Sequence, residues 1–294
     1  MLITHVHGYS ARGMTIASLK LTVTAAVEDE GAALHDVQYL IEVDTDGPTE
    51  SVSEVSQFVT CFSPNHRAFL DEGTFGLAIA VSGAAPDPIE IVWADEQTAG
   101  VRGTRRLVKA ELVWEYGTET HITTMITPGG DKRLKMPTVI VDQSKQMLGI
   151  DRGPNPQELL LAAVSADLTH RIVSIAALRG MPVPNVTVEG SGRLDIRGML
   201  NVSPDIPARF HNVEFVVRTD AGPDVSILAD VVREAAEKNV ILTALRRPNT
   251  VTVDVHTPSG RAISFESNAA QVAGCLEEIA QKPVVAAASD ALDG

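Results

Sequence analysis

Three ionisable residues lie close together in an otherwise apolar segment: Asp167, His170 and Arg171. Their spacing of i, i+3 and i+4 places all three side chains on one face of a helix. An Asp beside a His can act as a general acid/base pair, and a guanidinium can hold an anionic group of a substrate. Because ionisable groups are costly to bury unless they pair or line a cavity, the segment predicts either a catalytic pocket or a structural network. In the second case Asp167 pairs with Arg171, and His170 bonds to a carbonyl.

The element that must position these residues is a helix predicted at about 155–179. A Gly-Pro-Asn-Pro turn at 153–156 precedes it, and Gly180 is a typical stop. Gln157 and Glu158 lie in its first turn and are candidates for substrate binding. A carboxylate there also favours the positive end of the helix dipole, so helix capping is the preferred interpretation of Glu158.

The start of this helix resembles a known family. Residues 155–167 read NPQELLLAAVSAD, which is similar to the pattern NP-x-E-LLLAA-x-x-A-C of the OsmC/Ohr proteins (osmotically inducible protein C and organic hydroperoxide resistance protein). The family's second motif, AEK-x-CP-[IV]-S, resembles residues 236–243. The resemblance covers about 105–256 and implies an OsmC-like fold.

What the resemblance implies about chemistry is altered by two substitutions. In the family a cysteine on the helix attacks peroxides, and a second cysteine resolves the resulting sulfenic acid. Asp167 occupies the first cysteine position and Val240 the second, while Gln157 resembles the family's pocket Glu. The resemblance therefore implies the family's pocket without its thiol chemistry, with Asp167, His170 and Arg171 as the candidate replacements.

One cysteine elsewhere is a candidate nucleophile. Cys61 lies near the place of the family's second cysteine in an N-terminal repeat, with His66 and Arg67 close in sequence. Neighbouring positive charge can lower a thiol pKa, so Cys61 is a candidate catalytic residue; a buried small hydrophobe at a helix end is the alternative. Glu237 is a candidate for substrate binding beside the second motif, with a solvated surface as the alternative.

Composition narrows the possible partners. The formal net charge of −14 and the 4% aromatic content disfavour nucleic acid and anionic membranes. No apolar run reaches the roughly 18–20 residues of a membrane span, and the N-terminus does not resemble a signal peptide. Two cysteines fit a reducing compartment, so we expect a cytoplasmic protein. His5 and His7 would share one face of a strand, but further ligands are not clustered near them, so neither a metal nor another cofactor is expected.

A weak internal repeat organises the chain. Residues 34–41 match residues 210–217, and an acidic turn ending in Gly-Pro follows each. The first copy predicts strands at 17–27, 34–44 and 75–82 and a helix at 49–61; the second predicts strands at 183–195, 209–219 and 249–256 and a helix at 223–245. Further strands are predicted at 89–94, 107–115, 119–127 and 136–142, and a last helix at 269–279.

These elements predict an α+β protein. Residues 1–85 are predicted to form an N-terminal OsmC-like half-unit, residues 88–260 a complete OsmC-like domain, and residues 261–294 a C-terminal helical tail. The alternative is that the repeat is only two similar α+β hairpins in one sheet. The resemblance implies curved antiparallel sheets packed around one long central helix. Open sheet edges need cover, so a homodimer is expected.

Three functions remain open for a small-molecule substrate or ligand. The leading hypothesis is a cofactor-independent acid/base enzyme, a hydrolase, isomerase or lyase, acting on a carbonyl- or carboxylate-bearing substrate through Asp167, His170 and Arg171. The second is a thiol-dependent organic hydroperoxide reductase, a peroxidase of oxidative stress that uses Cys61. The third is a non-catalytic protein that binds a small molecule in an apolar pocket.

Overall fold

The structure is a computed structural model that describes residues 1–28, 34–91, 105–126, 134–135, 137–181, 183–203, 206–220 and 225–281. Within these residues the helices are α1 (Leu2–Ser10), α2 (Thr49–Phe62), α3 (Pro64–Leu70), α4 (Pro156–Leu178), α5 (Ile196–Met199), α6 (Val225–Glu237), α7 (Val240–Arg246) and α8 (Ala269–Gln281). The strands are β1 (Ile16–Glu28), β2 (Leu34–Thr45), β3 (Phe75–Val81), β4 (Asp87–Pro88), β5 (Arg105–Tyr116), β6 (Glu119–Ile126), β7 (Leu134–Lys135), β8 (Val139–Val141), β9 (Thr187–Leu194), β10 (Phe210–Thr219), β11 (Val251–Thr257) and β12 (Gly260–Ser267). The predicted α+β class is confirmed.

The strands form two sheets in the described part of the chain. The larger sheet has the order β12-β11-β2-β1-β5-β6-β7, with β8 paired to β6, and the smaller has the order β4-β3-β10-β9. Most neighbours are antiparallel, but β2 pairs in parallel with β11, and β10 pairs in parallel with β3. Each parallel pair joins one strand of the first repeat copy to one strand of the second.

The two copies therefore exchange their third strands. Gln38 of β2 lies opposite Thr252 of β11, and Glu214 of β10 lies opposite Gly76 of β3. Each residue of the second copy is numbered 176 higher than its counterpart in the first copy. Gln38 thus corresponds to Glu214, and Gly76 corresponds to Thr252. The same interval separates α2 from α6, α3 from α7 and β3 from β11 at their first residues. Each sheet therefore contains strands from before and after the domain boundary predicted at 85–88. The boundary itself stays a prediction.

A backbone feature repeats as well. Asp36 and Asn212 are counterparts, and both have a positive φ, of 50° and 51°. Each lies where the pairing register of its hairpin shifts. Asp and Asn tolerate this left-handed conformation better than most side chains, so the sequence permits the same bulge in both copies.

Two apolar cores follow from this arrangement. The first packs α1 and α2 against the larger sheet, and the second packs α4 and α6 against the smaller sheet. In α4 the fully buried residues Val164, Leu168 and Ile172 recur every four positions, so one stripe of the helix faces the second core. By length and composition α4 could also cross a membrane, which is weak evidence because core helices pass the same test.

The structure differs from the predictions at several elements. His5 and His7 lie on helix α1 and not on one face of a strand. The helix predicted at 223–245 is two helices, because Asn239 is buried and caps α7 by accepting a hydrogen bond from the backbone N–H of Leu242 at 2.8 Å. Strand β12 precedes α8 in the region predicted as a helical tail. The strand predicted at 89–94 is absent at 89–91, and its last three positions lie outside the described residues.

Candidate functional site

The predicted acid/base residues do not assemble a site in this structure. Arg171 Nε donates to Asp167 Oδ2 at 2.7 Å, an i, i+4 ion pair whose side chains are 27% and 25% exposed. His170 is exposed. The reason is the phase of α4: the stripe of Val164, Leu168 and Ile172 faces the core, so Asp167 and Arg171 lie at its margin and His170 points to solvent. This is the structural arrangement that the spacing also allowed.

The two residues of the first helical turn have different roles. Asn155 Oδ1 accepts hydrogen bonds from the backbone N–H groups of Gln157 and Glu158, at 3.0 and 2.9 Å. Glu158 Oε2 in turn accepts from the N–H of Asn155 at 2.8 Å, which completes a capping box. The carboxylate of Glu158 is therefore used by the helix, whereas Gln157 lines a cavity.

The other two predicted residues lie at the ends of helices α2 and α6, where one is buried and the other exposed. Cys61 is 1% exposed in the last turn of α2. A hydrogen bond with Cys275, together with burial, raises the pKa of Cys61, so the thiol stays protonated and is a poor nucleophile. The proximity of His66 and Arg67 in sequence does not reverse this shift. Glu237 is exposed at the last residue of α6.

The structure contains instead a large apolar cavity between the larger sheet, α3, α7 and the start of α4. Its volume is about 500 Å³, within the range of small-molecule sites, and we call it the apolar cavity. Strands β1 and β2 form one wall, and β5 and β6 extend it. The walls include Leu21, Val23, Tyr39, Leu112, Ile122, Leu159, Ala163 and Ala244.

Polar atoms interrupt this apolar lining at a few points. His66 Nε2 is 2.9 Å from Ser267 Oγ, while His66 Nδ1 is buried without a hydrogen-bond partner in the described part of the chain. The ring of Tyr39 lies against that of His66, with centroids 5.4 Å apart. Thr120 Oγ1 is a second buried atom that finds no partner among the described residues. All three side chains line the apolar cavity.

The polar groups of the cavity are uncharged near neutral pH. Burial lowers the pKa of His66 to about 3 and raises the pKa of Tyr39 to about 12. Both shifts follow from the cost of placing a charge in a low-dielectric interior. Neutral imidazole and phenol groups can donate or accept a hydrogen bond, but they offer no charge to balance an ionic ligand.

A second cavity adjoins the first and is more polar at one side. This outer cavity has a volume of about 430 Å³ and shares Met1, Ile3, Asn65 and Pro156 with the apolar cavity. Gln143 and Gln157 line it from the loop before α4 and from the first turn of α4. Asn65 Nδ2 donates to the carbonyl of Pro156 at 2.7 Å, which joins α3 to the start of α4.

The second repeat copy has a smaller cavity at the counterpart place. Its volume is about 310 Å³, and Phe215 and Val213 line it where Tyr39 and Val37 line the apolar cavity. His66 has Leu242 as its counterpart, and that residue is buried in the second core. The second copy thus lacks the pair of Tyr39 and His66, and charged or polar residues such as Asp71, Arg209 and His211 line its cavity instead.

The sequence allowed for an apolar pocket, but it indicated a place beside Asp167 and did not identify Tyr39 as a lining residue. His66 was considered only as a neighbour of Cys61. A position-by-position comparison of the two copies would have given a signal, because a buried Phe and Leu in one copy stand where the other has Tyr and His. Thr120 gives no signal of its own, since a threonine is common in any strand.

Comparisons with known proteins agree with the sequence motif. Residues 149–254 match the family model of OsmC-like proteins. No curated protein matches the chain. Among solved structures, a putative osmotic stress induced and detoxification response protein from Psychrobacter arcticus 273-4 is 12% identical, with a TM-score of 0.36, over 50% of this chain and 93% of its own.

Two other solved structures are similar over the same share of the chain. An OsmC like protein from Mycoplasma pneumoniae is 10% identical, with a TM-score of 0.30, over 49% of this chain and 96% of its own. A structure described only as structural genomics is 20% identical, with a TM-score of 0.33, over 50% and 96%. The family-model match begins just before the Asn155-Pro156 turn and includes the second motif, so residues 149–254 of this chain are similar to OsmC-like proteins.

Proposed function

We propose that this protein binds a small, uncharged and mostly apolar molecule that carries one hydrogen-bonding group. The observation that carries the proposal is the apolar cavity of about 500 Å³, whose lining residues include His66 and Thr120, each with a buried polar atom that has no partner among the described residues. A buried polar atom without a partner costs about 1–3 kcal/mol, which a ligand group would recover on binding.

The electrostatics of the cavity select the ligand class. With the pKa of His66 lowered to about 3 and that of Tyr39 raised to about 12, the lining carries no balancing charge at neutral pH. Burying a carboxylate there would cost several kcal/mol without a paired cation. A ketone, aldehyde, ester or alcohol of moderate size fits, since its single oxygen can pair with His66 or Thr120.

The acid/base alternative has weaker support. Its three residues are spread between an ion pair and solvent, and they are not among the residues that line the apolar or the outer cavity. A hydrolase, isomerase or lyase mechanism through Asp167 would need the Arg171 pair to open. The peroxidase alternative through Cys61 is disfavoured by the burial and raised pKa of that thiol.

The proposal is tested with a fluorescent apolar probe and a matched pair of variants on α4. Ala163 lines the apolar cavity, whereas its neighbour Ala162 lines a separate shallow groove, and both are exposed. We expect saturable binding of N-phenyl-1-naphthylamine to the wild type. Ala163→Phe should weaken the probe affinity by about tenfold because the ring occupies the cavity mouth, and Ala162→Phe should leave it within about twofold.

Competition then tests the ligand class. Nonan-2-one should displace the probe at lower concentration than nonanoate, since only the ketone is neutral at pH 7. If the probe does not bind, or if both α4 variants weaken it equally, the apolar cavity is not the binding site. If nonanoate competes as well as nonan-2-one, the charge argument is wrong even though a binding site exists.

The assembly and location of the protein stay proposals. A homodimer is supported by α4, since only 28% of its most apolar window is buried, and Val173 and Leu178 are 46% and 88% exposed. A cytoplasmic location is supported by the low cysteine content. Equilibrium sedimentation of the full chain tests the dimer.

A further inference from the structure

The outer cavity is lined by amide side chains and not by charged ones. Its lining residues in the described part of the chain include no Asp, Glu, Lys or Arg. Burial lowers the pKa of His7, the one titratable side chain among these lining residues, so its imidazole is mostly neutral at pH 7. The amides come from α3, from the loop before α4, from the first turn of α4 and from the turn after α5. They are Asn65, Gln143, Gln146, Gln157 and Asn201.

Two residues that line the outer cavity have a buried polar atom that is unpaired. Ser63 Oγ and Asn65 Oδ1 find no hydrogen-bond partner within the described residues, and Ser63 is 1% exposed. The nitrogen of the Asn65 amide is used, since Nδ2 donates to the carbonyl of Pro156 at 2.7 Å. Asn65 is left with an oxygen that can only accept, and Ser63 has a hydroxyl that can donate or accept. A ligand group that both donates and accepts hydrogen bonds would therefore satisfy the two atoms together.

We propose that the outer cavity is a second subsite, which binds an uncharged primary carboxamide at one end of a ligand whose apolar body lies in the apolar cavity. Two observations carry the proposal: the unpaired atoms of Ser63 and Asn65, and the residues shared by the linings of the two cavities, Asn65 among them. Because the two cavities adjoin, one molecule can occupy both. The inference rests on the proposed function, and it adds a second hydrogen-bonding group to the one placed in the apolar cavity.

Other end groups fit this lining less well. A carboxylate or an ammonium group would lose its hydration without meeting an opposite charge among the side chains described for this cavity. A ketone or an ester accepts hydrogen bonds but cannot donate one to Asn65 Oδ1. A hydroxyl has a single proton to donate, whereas a primary carboxamide donates two protons and accepts through its carbonyl. A carboxamide can therefore pair with Ser63 and Asn65 and also with one of the glutamines that line the cavity.

The backbone that carries two of these glutamines is held in place by hydrogen bonds of the protein itself. The buried carboxylate of Asp142 accepts from the backbone N–H groups of Gln143 and Ile150, at 2.8 and 3.0 Å. The backbone N–H of Gln157 donates to Asn155 Oδ1 at 3.0 Å, within the capping box of α4. Binding would therefore order side chains and not this backbone, which lowers the entropic cost of holding a ligand.

The test compares two ligands that differ in one end group. 8-Oxononanamide and decane-2,9-dione share a methyl ketone and a chain of six methylenes, and they differ only in an NH2 group against a CH3 group at the other end. Displacement of N-phenyl-1-naphthylamine from the full chain measures both affinities. We expect the amide to displace the probe at about tenfold lower concentration, because only the amide can donate to Asn65 Oδ1. Homologues with four and eight methylenes cover other separations of the two groups, and absence of a preference for the amide at all three lengths would overturn the proposal.

A matched pair of variants assigns the preference to the outer cavity. Ser63→Ala removes a buried hydroxyl that is unpaired within the described structure. Thr243→Val removes another such hydroxyl, but Thr243 is not among the residues that line either cavity. We expect Ser63→Ala to reduce the preference for the amide to about twofold or less without changing displacement by the dione, whereas Thr243→Val should keep the full preference. An unchanged preference in Ser63→Ala, or an equal loss in both variants, would contradict the assignment.

The outcomes separate this inference from the proposed function. If N-phenyl-1-naphthylamine does not bind the wild type, the proposed function fails and the second subsite fails with it. If the dione displaces the probe and the amide shows no preference, the apolar cavity is a binding site and only the second subsite is wrong. The comparison of the two ligands on the wild type needs no variant, so a variant that fails to fold does not remove the test.

Discussion

The two repeat copies share one backbone plan but differ in what they bury. At four positions the first copy has a polar side chain where the second has an apolar one, whereas the buried pair Val43 and Thr219 shows the reverse. Four pairs of counterparts show the difference: Tyr39 and Phe215, Ser56 and Val232, Thr60 and Ala236, and His66 and Leu242. The strands, the helices and the bulge at Asp36 and Asn212 occupy equivalent positions in the two copies. The fold therefore does not require the four polar residues of the first copy.

This difference in buried residues allows the contribution of a residue to stability to be compared with its contribution to the proposed function in one molecule. The core of the second copy packs apolar side chains of α4 and α6, although Thr219, Asn239 and Thr243 are also buried in this copy. The first copy keeps a buried histidine with an unpartnered nitrogen, which costs stability. Its partner Ser267 has Ile91 as counterpart, so the second copy offers no hydrogen bond at the equivalent place. Thr243 Oγ1 of the second copy is also buried without a partner among the described residues, so the contrast between the copies rests on the hydrogen-bonded pair His66 and Ser267. Under the proposed binding function, this pair marks the first copy as the one that holds the ligand.

The largest expected effect comes from placing the histidine of the first copy in the second. Leu242→His loses buried apolar packing and leaves an imidazole without a partner, since Ile91 stands where Ser267 would be needed. We expect the free energy of unfolding to fall by about 3–5 kcal/mol. Urea denaturation followed by circular dichroism measures it.

The matched control makes the first copy resemble the second. In the double variant His66→Leu with Ser267→Ala, both hydrogen-bonding partners are replaced by apolar groups, so stability should stay within about 1 kcal/mol of the wild type. Probe binding in the apolar cavity should weaken. Equal destabilisation by the two exchanges would show that the copies differ for packing reasons alone.

A smaller effect is expected from pH. Burial lowers the pKa of His66 to about 3 and that of His5 to about 4, whereas both groups titrate near 6.5 when unfolded. The unfolded chain therefore binds more protons between these values, and the stability present above pH 6.5 is lost as pH falls. Each histidine contributes a slope of about 1.4 kcal/mol per pH unit in that window.

The measurement is a series of urea titrations between pH 7 and pH 5, above the range where most carboxylates titrate. His66→Gln should reduce the slope by about the contribution of one proton, because His5 still titrates. The slope does not depend on the absolute stability of the variant. An unchanged slope would mean that His66 is solvated in the folded protein, and the polarity contrast between the copies would lose its main member.

Much of the fold follows from sequence pattern, but the strand exchange does not. Strands predicted at 17–27 and 34–44 occupy Ile16–Glu28 and Leu34–Thr45, because alternation of apolar and polar residues fixes their faces. Which copy receives β3 and which receives β11 is a different question. β3 reads FGLAIAV and β11 reads VTVDVHT, so both strands have a large apolar residue at their first, third and fifth positions. Local rules are therefore satisfied by either pairing, and only tertiary packing decides.

The candidate site was less predictable for a related reason. The family resemblance directed attention to Asp167 through the position of a lost cysteine, and the phase of α4 then turned that residue to the margin of the core. The polar pair in the apolar cavity, His66 and Ser267, lies on α3 and β12, which meet only because β11 and β12 join the larger sheet. Comparing counterpart positions of the repeat would have indicated His66, because the second copy has a leucine there. Residue spacing within α3 or within β12 does not indicate the site.

The smallest expected effect tests the residue at the family's cysteine position. Asp167 and Arg171 form an i, i+4 pair at the protein surface, and such pairs contribute about 0.3–0.5 kcal/mol. Asp167→Asn should therefore change the free energy of unfolding by less than about 1 kcal/mol, and the matched variant Arg171→Gln should do the same. Neither should alter binding of N-phenyl-1-naphthylamine. An ion pair on a helix surface cannot cause a large loss of stability or change the probe affinity. Either effect in Asp167→Asn alone would therefore show that Asp167 acts on the cavity, and it would restore the acid/base hypothesis.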